Sequence, residues 1–281
     1  MKIAIIGVLD DLAQEFLKSY DKQAASRHDF KLIDFVQPAP IVELDGREYP
    51  VLPYTPDLLD DDIDLAICFG TQERKDIVLE LEDKGIRTID LTGSFVDEPT
   101  VPLVLFDHTH LRSQLLLATP SLHLHIFGPI LLKLHHRFTL KRVSLTIFPQ
   151  ASESPRFYAD KMTEDEMSLI NESIRLIDNN QVHFTASIWP LQNQSHTTYH
   201  LNIEFVRPYN MDGIRDVLAS TPTVVIKDHF TRETDVERSI IVNRVRRDFS
   251  ADSAIHLFLT VEKPEYRVFE NIQSLIEQFD Q

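Results

Sequence analysis

Lys2-Ile3-Ala4-Ile5-Ile6-Gly7-Val8-Leu9-Asp10-Asp11-Leu12-Ala13 is the stretch on which the fold turns. The β-branched run Lys2–Ile6 reads as a buried strand, and Gly7 breaks it. Asp11–Tyr20 then reads as a helix with Leu12, Phe16 and Leu17 on one face. A second β-branched run, Lys31–Phe35, completes the rhythm of a parallel βαβ unit. Outward from there, strand Leu65–Phe69, helix Arg74–Lys84, strand Thr88–Leu91 and strand Leu103–Phe106 repeat it. Ile41–Leu44 and Tyr49–Leu52 flank Asp45-Gly46, a hairpin signal. The expected class is α/β, with a Rossmann-like parallel-sheet domain over residues 1–120.

After Pro120 the pattern changes. A helix over Leu122–His136 leads to strand Arg142–Phe148, which alternates as an antiparallel strand does. Glu164–Asn179 is an amphipathic helix with Met167, Ile170, Ile174 and Ile177 at helical spacing. Strands follow at Phe184–Trp189, Tyr199–Phe205, Val224–Ile226, Ser239–Val245 and Ile255–Val261. Residues 121–261 are therefore expected to form an α+β domain. The closing helix, Val268–Phe279 within 262–281, is expected to return to the first domain.

The 281 residues carry a formal net charge of −16. That balance disfavours nucleic acid and anionic membrane surfaces, which need clustered Lys and Arg. Asp10 and Asp11 end the first apolar run too early for a signal peptide, and no run reaches the ~18 apolar residues of a membrane span. A single cysteine, Cys68, fits a reducing compartment, so a cytoplasmic location is expected. Seven glycines are few against the roughly 7% usual, and dinucleotide sites spend several on close backbone approach.

Several strings, in order, resemble the aspartate-semialdehyde dehydrogenase family. The first strand with Gly7 is similar to that family's opening. Asp90-Leu91-Thr92-Gly93-Ser94-Phe95 with Val101-Pro102-Leu103-Val104 resembles "D-S-S-x-F … V-P-L-V". Glu166-Met167-Ser168-Leu169-Ile170-Asn171-Glu172 resembles "E-M-K-M-V-N-E". Asn202-Ile203-Glu204-Phe205 resembles "N-V-E-F", and Val242-Asn243-Arg244-Val245-Arg246-Arg247-Asp248 resembles "V-G-R-I-R-x-D". The resemblance implies a Rossmann-like domain plus an α+β dimerisation domain. It also implies a two-fold homodimer made by the second sheet, with the alternating Tyr199–Phe205 and Ile255–Val261 supplying a face to bury.

Carried over position by position, the resemblance implies lost chemistry. Gly7-Val8-Leu9-Asp10-Asp11-Leu12-Ala13 stands at the phosphate loop "G-A-T-G-x-V-G". Only Gly7 matches; Asp10 replaces the second glycine and Ala13 the last, so no NAD or NADP is expected to bind. Asp10 or Asp11 reads instead as a helix N-cap. Leu122 falls on the cysteine nucleophile, Thr197 on the base histidine, Ile188 on the substrate arginine and Ser168 on the lysine. The glutamine falls on or beside Pro149 and Gln150. His196, one residue from Thr197, and Glu172, which matches but is expected on an exposed helix face, are the residual candidates. Cys68, within an apolar strand, reads as core.

Other constellations carry less. His108 with His110, His123 with His125, and His135 with His136 suggest metal ligation, but no partner is identifiable and no metal is expected. His123 and His125 fall where the family's cleft would be, which keeps a ligand-contacting role open. Asp60-Asp61-Asp62 reads as a solvated loop. Asp34 stands where dinucleotide folds place a ribose-binding acid, and reads as a solvated strand end. Arg244, Arg246 and Arg247 form a basic cluster suited to pairing with acids at an interface. Three functions remain: a non-catalytic homodimeric relative with an interaction or regulatory role, an NAD(P)-dependent oxidoreductase with a divergent site, or a small-ligand sensor.

Overall fold

The computed structural model describes residues 1–20, 27–36, 40–44, 47–59, 62–106, 111–150, 159–190, 195–227 and 239–280. Asp45-Gly46, Asp60, Asp61, His108 and His110 lie outside them. The chain divides into two compact units, Met1–Ser121 with Val268–Gln281, and Leu122–Arg267.

The strands of the first unit are β1 (Lys2–Ile6), β2 (Asp29–Asp34), β3 (Ile41–Leu44), β4 (Arg47–Pro50), β5 (Leu52–Pro53), β6 (Leu65–Cys68), β7 (Arg87–Asp90) and β8 (Leu116–Ala118). β3 and β4 form a separate antiparallel pair. The others make one sheet in the order β5-β2-β1-β6-β7-β8, parallel throughout. β6 is buried at every position, as a sheet covered on both faces requires. Helices α1 (Asp11–Ser19) and α2 (Lys75–Asp83) follow β1 and β6. Val78 and Leu81 of α2 pack with Ala4, Ile6, Ala66 and Cys68. Phe16 of α1 lies 5.9 Å from Phe69 and 5.7 Å from Phe269 of the closing helix (Glu265–Phe279). Asn271 of that helix anchors the unit's loop, donating to Val104 O and accepting from Phe106 N, each at 3.0 Å.

Leu103–Phe106 is not a strand of its own. Leu103 makes an isolated bridge to Ala118, and the edge strand is the apolar run Leu116–Ala118, which the sequence reading passed over. Pro102 has no N–H to give a ladder, and Phe106 at φ 53° turns the chain away.

The second unit holds α3 (Leu122–Phe138), β9 (Leu140–Phe148), α4 (Ala159–Ile177), β10 (His183–Ile188), β11 (Thr197–Phe205), α5 (Met211–Ala219), β12 (Val224–Lys227), β13 (Ile240–Arg247) and β14 (Ala254–Val261). Its sheet, β10-β9-β11-β14-β13-β12, is mixed, with parallel pairs at both edges and antiparallel pairs between. α5 was not expected from sequence. Asn210 caps it, accepting from Gly213 N at 2.6 Å.

Alternate residues of this sheet, among them Val143, Leu145, Tyr199, Leu201, Ile203, Leu257 and Leu259, join Phe127, Ile130 and Leu134 of α3 in one core. Burying each such side chain contributes roughly 1.5–3 kcal/mol. This corrects one expectation. The apolar positions of Tyr199–Phe205 and Ile255–Val261 are already covered by the unit's own helices, so the face left over is the polar one, with Thr198, His200, Asn202 and Glu204.

Candidate functional site

In the first unit the candidate is the turn between β1 and α1. Gly7 sits at φ 78°, a left-handed conformation, and its N–H donates to Ile33 O at 2.9 Å. Asp10 is the N-cap of α1, its carboxylate accepting from Leu12 N at 3.0 Å. Leu9 N donates to Asp34 Oδ2 at 2.8 Å, and Phe35 N to the other oxygen of Asp34 at 2.7 Å. Two amides of the turn therefore end on carboxylates of the chain itself. Asp34 is not a solvated strand end; at 3% exposure it is a buried clasp between β2 and the turn.

Arg74 lies over this turn. Its Nη1 donates to Phe69 O, and the guanidinium stands 4.9 Å from the Phe35 ring centre. A Cβ built on Gly7 would fall 1.6 Å from that Nη1, and one on Gly70 2.5 Å from it. The space that two bare glycines leave open is filled by the arginine side chain. Ala13, at the last glycine position, is fully buried in α1.

In the second unit the family positions gather at one end of the sheet. Leu122 opens α3, and the next residue, His123, meets Tyr199 through Nδ1 and Oη at 3.0 Å. Thr197 opens β11, buried, its hydroxyl accepting from Gln150 N at 3.1 Å. Ile188 closes β10 opposite Ile147, and its N–H donates to Glu166 Oε1 at 2.7 Å. His196 precedes β11, its Nδ1 3.1 Å from Ser195 Oγ. Ser168 of α4 donates to Glu172 Oε1 at 3.3 Å. Glu172 is not on an exposed face; it is 3% exposed. Its place on α4 follows helical spacing, and only packing decides that this side faces inward.

Electrostatics follow burial. His123 is pushed down to about 4, so its imidazole is neutral at pH 7. Burial drives the Tyr199 hydroxyl up. The Cys68 thiol, also raised by burial and by nearby Asp90, is held unreactive in the first unit's core. Asp90 is itself raised by burial, against hydrogen bonds from Thr92.

No family model matches the chain. An aspartate-semialdehyde dehydrogenase of Prochlorococcus marinus is 21% identical, covering 92% of this chain and 90% of the relative. Among solved structures, a probable aspartate-semialdehyde dehydrogenase from Pseudomonas aeruginosa superposes with a TM-score of 0.82 at 14% identity, covering 99% of both chains. Aspartate semialdehyde dehydrogenase II of Vibrio cholerae, complexed with ASA, gives 0.79 at 16% identity, covering 98% of this chain and 97% of that one. The Candida albicans enzyme with NADP gives 0.77 at 12%, covering 99% of both. Over its whole length the chain has the fold of the aspartate-semialdehyde dehydrogenases, and its sequence is similar to that of the Prochlorococcus enzyme.

Against that relationship, three features were not legible in the sequence. The Arg74 plug depends on two loops meeting, and no local pattern signals it. The Tyr199 partner of His123 is 76 residues away. The third is the pair His200 and His256, 56 residues apart on two strands, where period-two spacing gives the face of each but not their meeting. Of the other histidines, His125 is fully buried and His135 Nδ1 accepts from Leu140 N at 3.3 Å. Among the described residues, no group of three His, Cys, Asp or Glu side chains is placed to hold a metal, and no helix is long and apolar enough to cross a membrane.

Proposed function

We propose that this chain is a non-catalytic relative of aspartate-semialdehyde dehydrogenase, a cytoplasmic homodimer with an interaction or regulatory role. The observation that carries the reading is the turn at Gly7. A dinucleotide's pyrophosphate needs free amides there and bare glycine faces for close approach. Here Asp34 and Asp10 take the amides and Arg74 takes the glycine faces. The residues present do not fit NAD or NADP, and no chemical step runs through either.

The second unit supports the same reading. Acyl transfer to a thiol needs a nucleophile, a base and a holder for the substrate carboxylate. The corresponding positions hold Leu122, Thr197 and Ile188, none able to serve, and Ser168 stands for the lysine. We read the first unit as the Rossmann-like domain and the second as the dimerisation domain. The dimer surface is the polar face of the second sheet. Its centre, Thr146, His200, Phe258, Phe148, Thr198 and Thr260, carries no formal charge on a chain where 26% of residues are charged. A second copy can cover that centre without burying an ion, and neutral polar and aromatic groups suit an interface core.

A small-ligand sensor is the second reading, favoured by His123, a neutral imidazole whose Nδ1 is held by Tyr199.

The test is calorimetric titration with NADP and NAD, followed by phosphate-dependent dinucleotide reduction with aspartate semialdehyde. We expect no binding at low-micromolar affinity and no turnover, in wild type or in Leu122→Cys. One restored group recovers little when its partners are absent. Turnover by wild type would overturn the reading in favour of a divergent NAD(P)-dependent oxidoreductase.

A further inference from the structure

The polar face of the second sheet carries a hydrogen-bonded ladder across its central strands. His200 of β11 stands opposite Phe258 of β14, and His256 opposite Asn202. His200 Nε2 lies 3.0 Å from His256 Nδ1, the two ring planes are 8° apart, and the Phe258 ring stacks on His200 at 4.5 Å. His256 Nε2 is 3.3 Å from Asp248 Oδ2, which also accepts from Asn202 Nδ2 at 2.7 Å. Arg142 donates to Asn202 Oδ1 at 2.5 Å and to Glu204 Oε2 at 3.4 Å.

One assignment of protons satisfies the contacts that run from His200 through His256 to Asp248. His256 donates from Nε2 to Asp248, which leaves its Nδ1 to accept from His200 Nε2. A first added proton can enter at His200 Nδ1. A second has only His256 Nδ1, where it would set one N–H against another and break the ladder.

We infer that this face holds two copies of the chain together while the His200–His256 pair is neutral, and releases them as the pair gains protons. The inference rests on reading the face as the self-association surface. The groups facing the pair make the consequence one-sided. β9 contributes Arg142, β13 contributes Arg246 and β14 contributes His256. β11 adds Glu204, which is bound to Lys141 and Arg142. Asp248 is occupied by Ser250 and Asn202. A charge on His200 therefore lies beside Arg246 and has no carboxylate of its own, since Asp248 reaches the pair only through His256. Burial, then His256, then Arg246 already hold His200 below the ordinary histidine value. In a two-fold interface each copy presents the same charge, so every protonation event counts twice.

The sign separates this device from bulk electrostatics. At −16 net charge and a sequence pI near 5.1, acidification removes self-repulsion and by itself favours association. Release on acidification runs the other way.

The test is sedimentation equilibrium of the full chain at about pH 8 and about pH 5.5, spanning the ordinary histidine range. We expect a dimer at the higher pH and a dissociation constant at least about tenfold larger at the lower. His200→Gln and His256→Gln, each checked by its far-ultraviolet spectrum, are expected to cut that ratio below about twofold. A wild-type dimer indifferent to pH, or a full pH response kept in both variants, overturns the gating and leaves the self-association reading standing. A monomer at pH 8 overturns that reading and the gating with it.

Discussion

β6 of the first unit and β11 of the second are central strands of equal standing, yet their burial differs. β6 is buried at each position, whereas the burial of β11 alternates along most of its length. The first sheet is parallel and has helices packed against it, so every residue of β6 faces protein. The second sheet commits alternate residues to its helices and leaves a polar ladder on the other face. The first unit is thus chemically closed, its turn amides taken by Asp34 and Asp10 and its glycine faces by Arg74. The second keeps a half-exposed surface on which His200, His256, Asn202 and Asp248 bond to one another, the face proposed above to meet a second copy.

The sharpest way to break this comparison is a pair of substitutions on neighbouring strands. Leu201→Ala removes a fully buried side chain from the helix-facing side of β11. It is expected to cost about 2–5 kcal/mol in urea unfolding. Thr146→Ala, on the polar side of β9, should change monomer stability by less than ~0.5 kcal/mol. Equal effects would mean that the two faces are not energetically distinct.

Acid titration sharpens the contrast within the second unit. The folded His123 titrates at about 4 and the unfolded one near 6.5, so the neutral form is favoured by folding. Its contribution is fully present above pH 6.5, falls as pH drops toward 4, and levels off below. His123→Gln should flatten the wild-type stability slope in that window by up to roughly 3 kcal/mol. Unfolding midpoints measured at half-unit pH intervals, with unchanged slope in the variant, would remove His123 from the account.

The smallest expected effect tests the closed turn. Asp10→Ala removes the α1 cap and should cost ~1 kcal/mol, read as a shift in denaturant midpoint. Dinucleotide affinity should stay absent, because Asp34 and Arg74 still occupy the turn. Tight binding on removing Asp10 alone would show that one carboxylate, rather than the whole arrangement, closes the site.

Much of this architecture is local and therefore legible in one dimension. The β-branched run Lys2–Ile6, the helical spacing of Leu12, Phe16 and Leu17, and the period-two pattern of Tyr199–Phe205 each specify an element through its own backbone periodicity. The family string Glu166–Glu172 lies within α4, and Asp90–Phe95 begins at the last residue of β7, so the resemblance follows the order of the elements. Asp10 as a cap was readable too, because its partner Leu12 lies two residues away. The sequence alone also removed the thiol from the expected site, since Leu122 is leucine whatever the packing.

Tertiary structure decided the rest, for one physical reason. A side chain's environment depends on residues far along the chain that periodicity does not name. Asp34 and Glu172 read as exposed acids, and both are buried because other segments close over them. The apolar side of β11 read as a surface awaiting a partner, but α3 covers it, and the surface that remains is the ladder of His200, Asn202 and His256. Arg74 entered the sequence reading only as the start of a helix, since its effect on Gly7 exists only where the turns after two adjacent parallel strands meet.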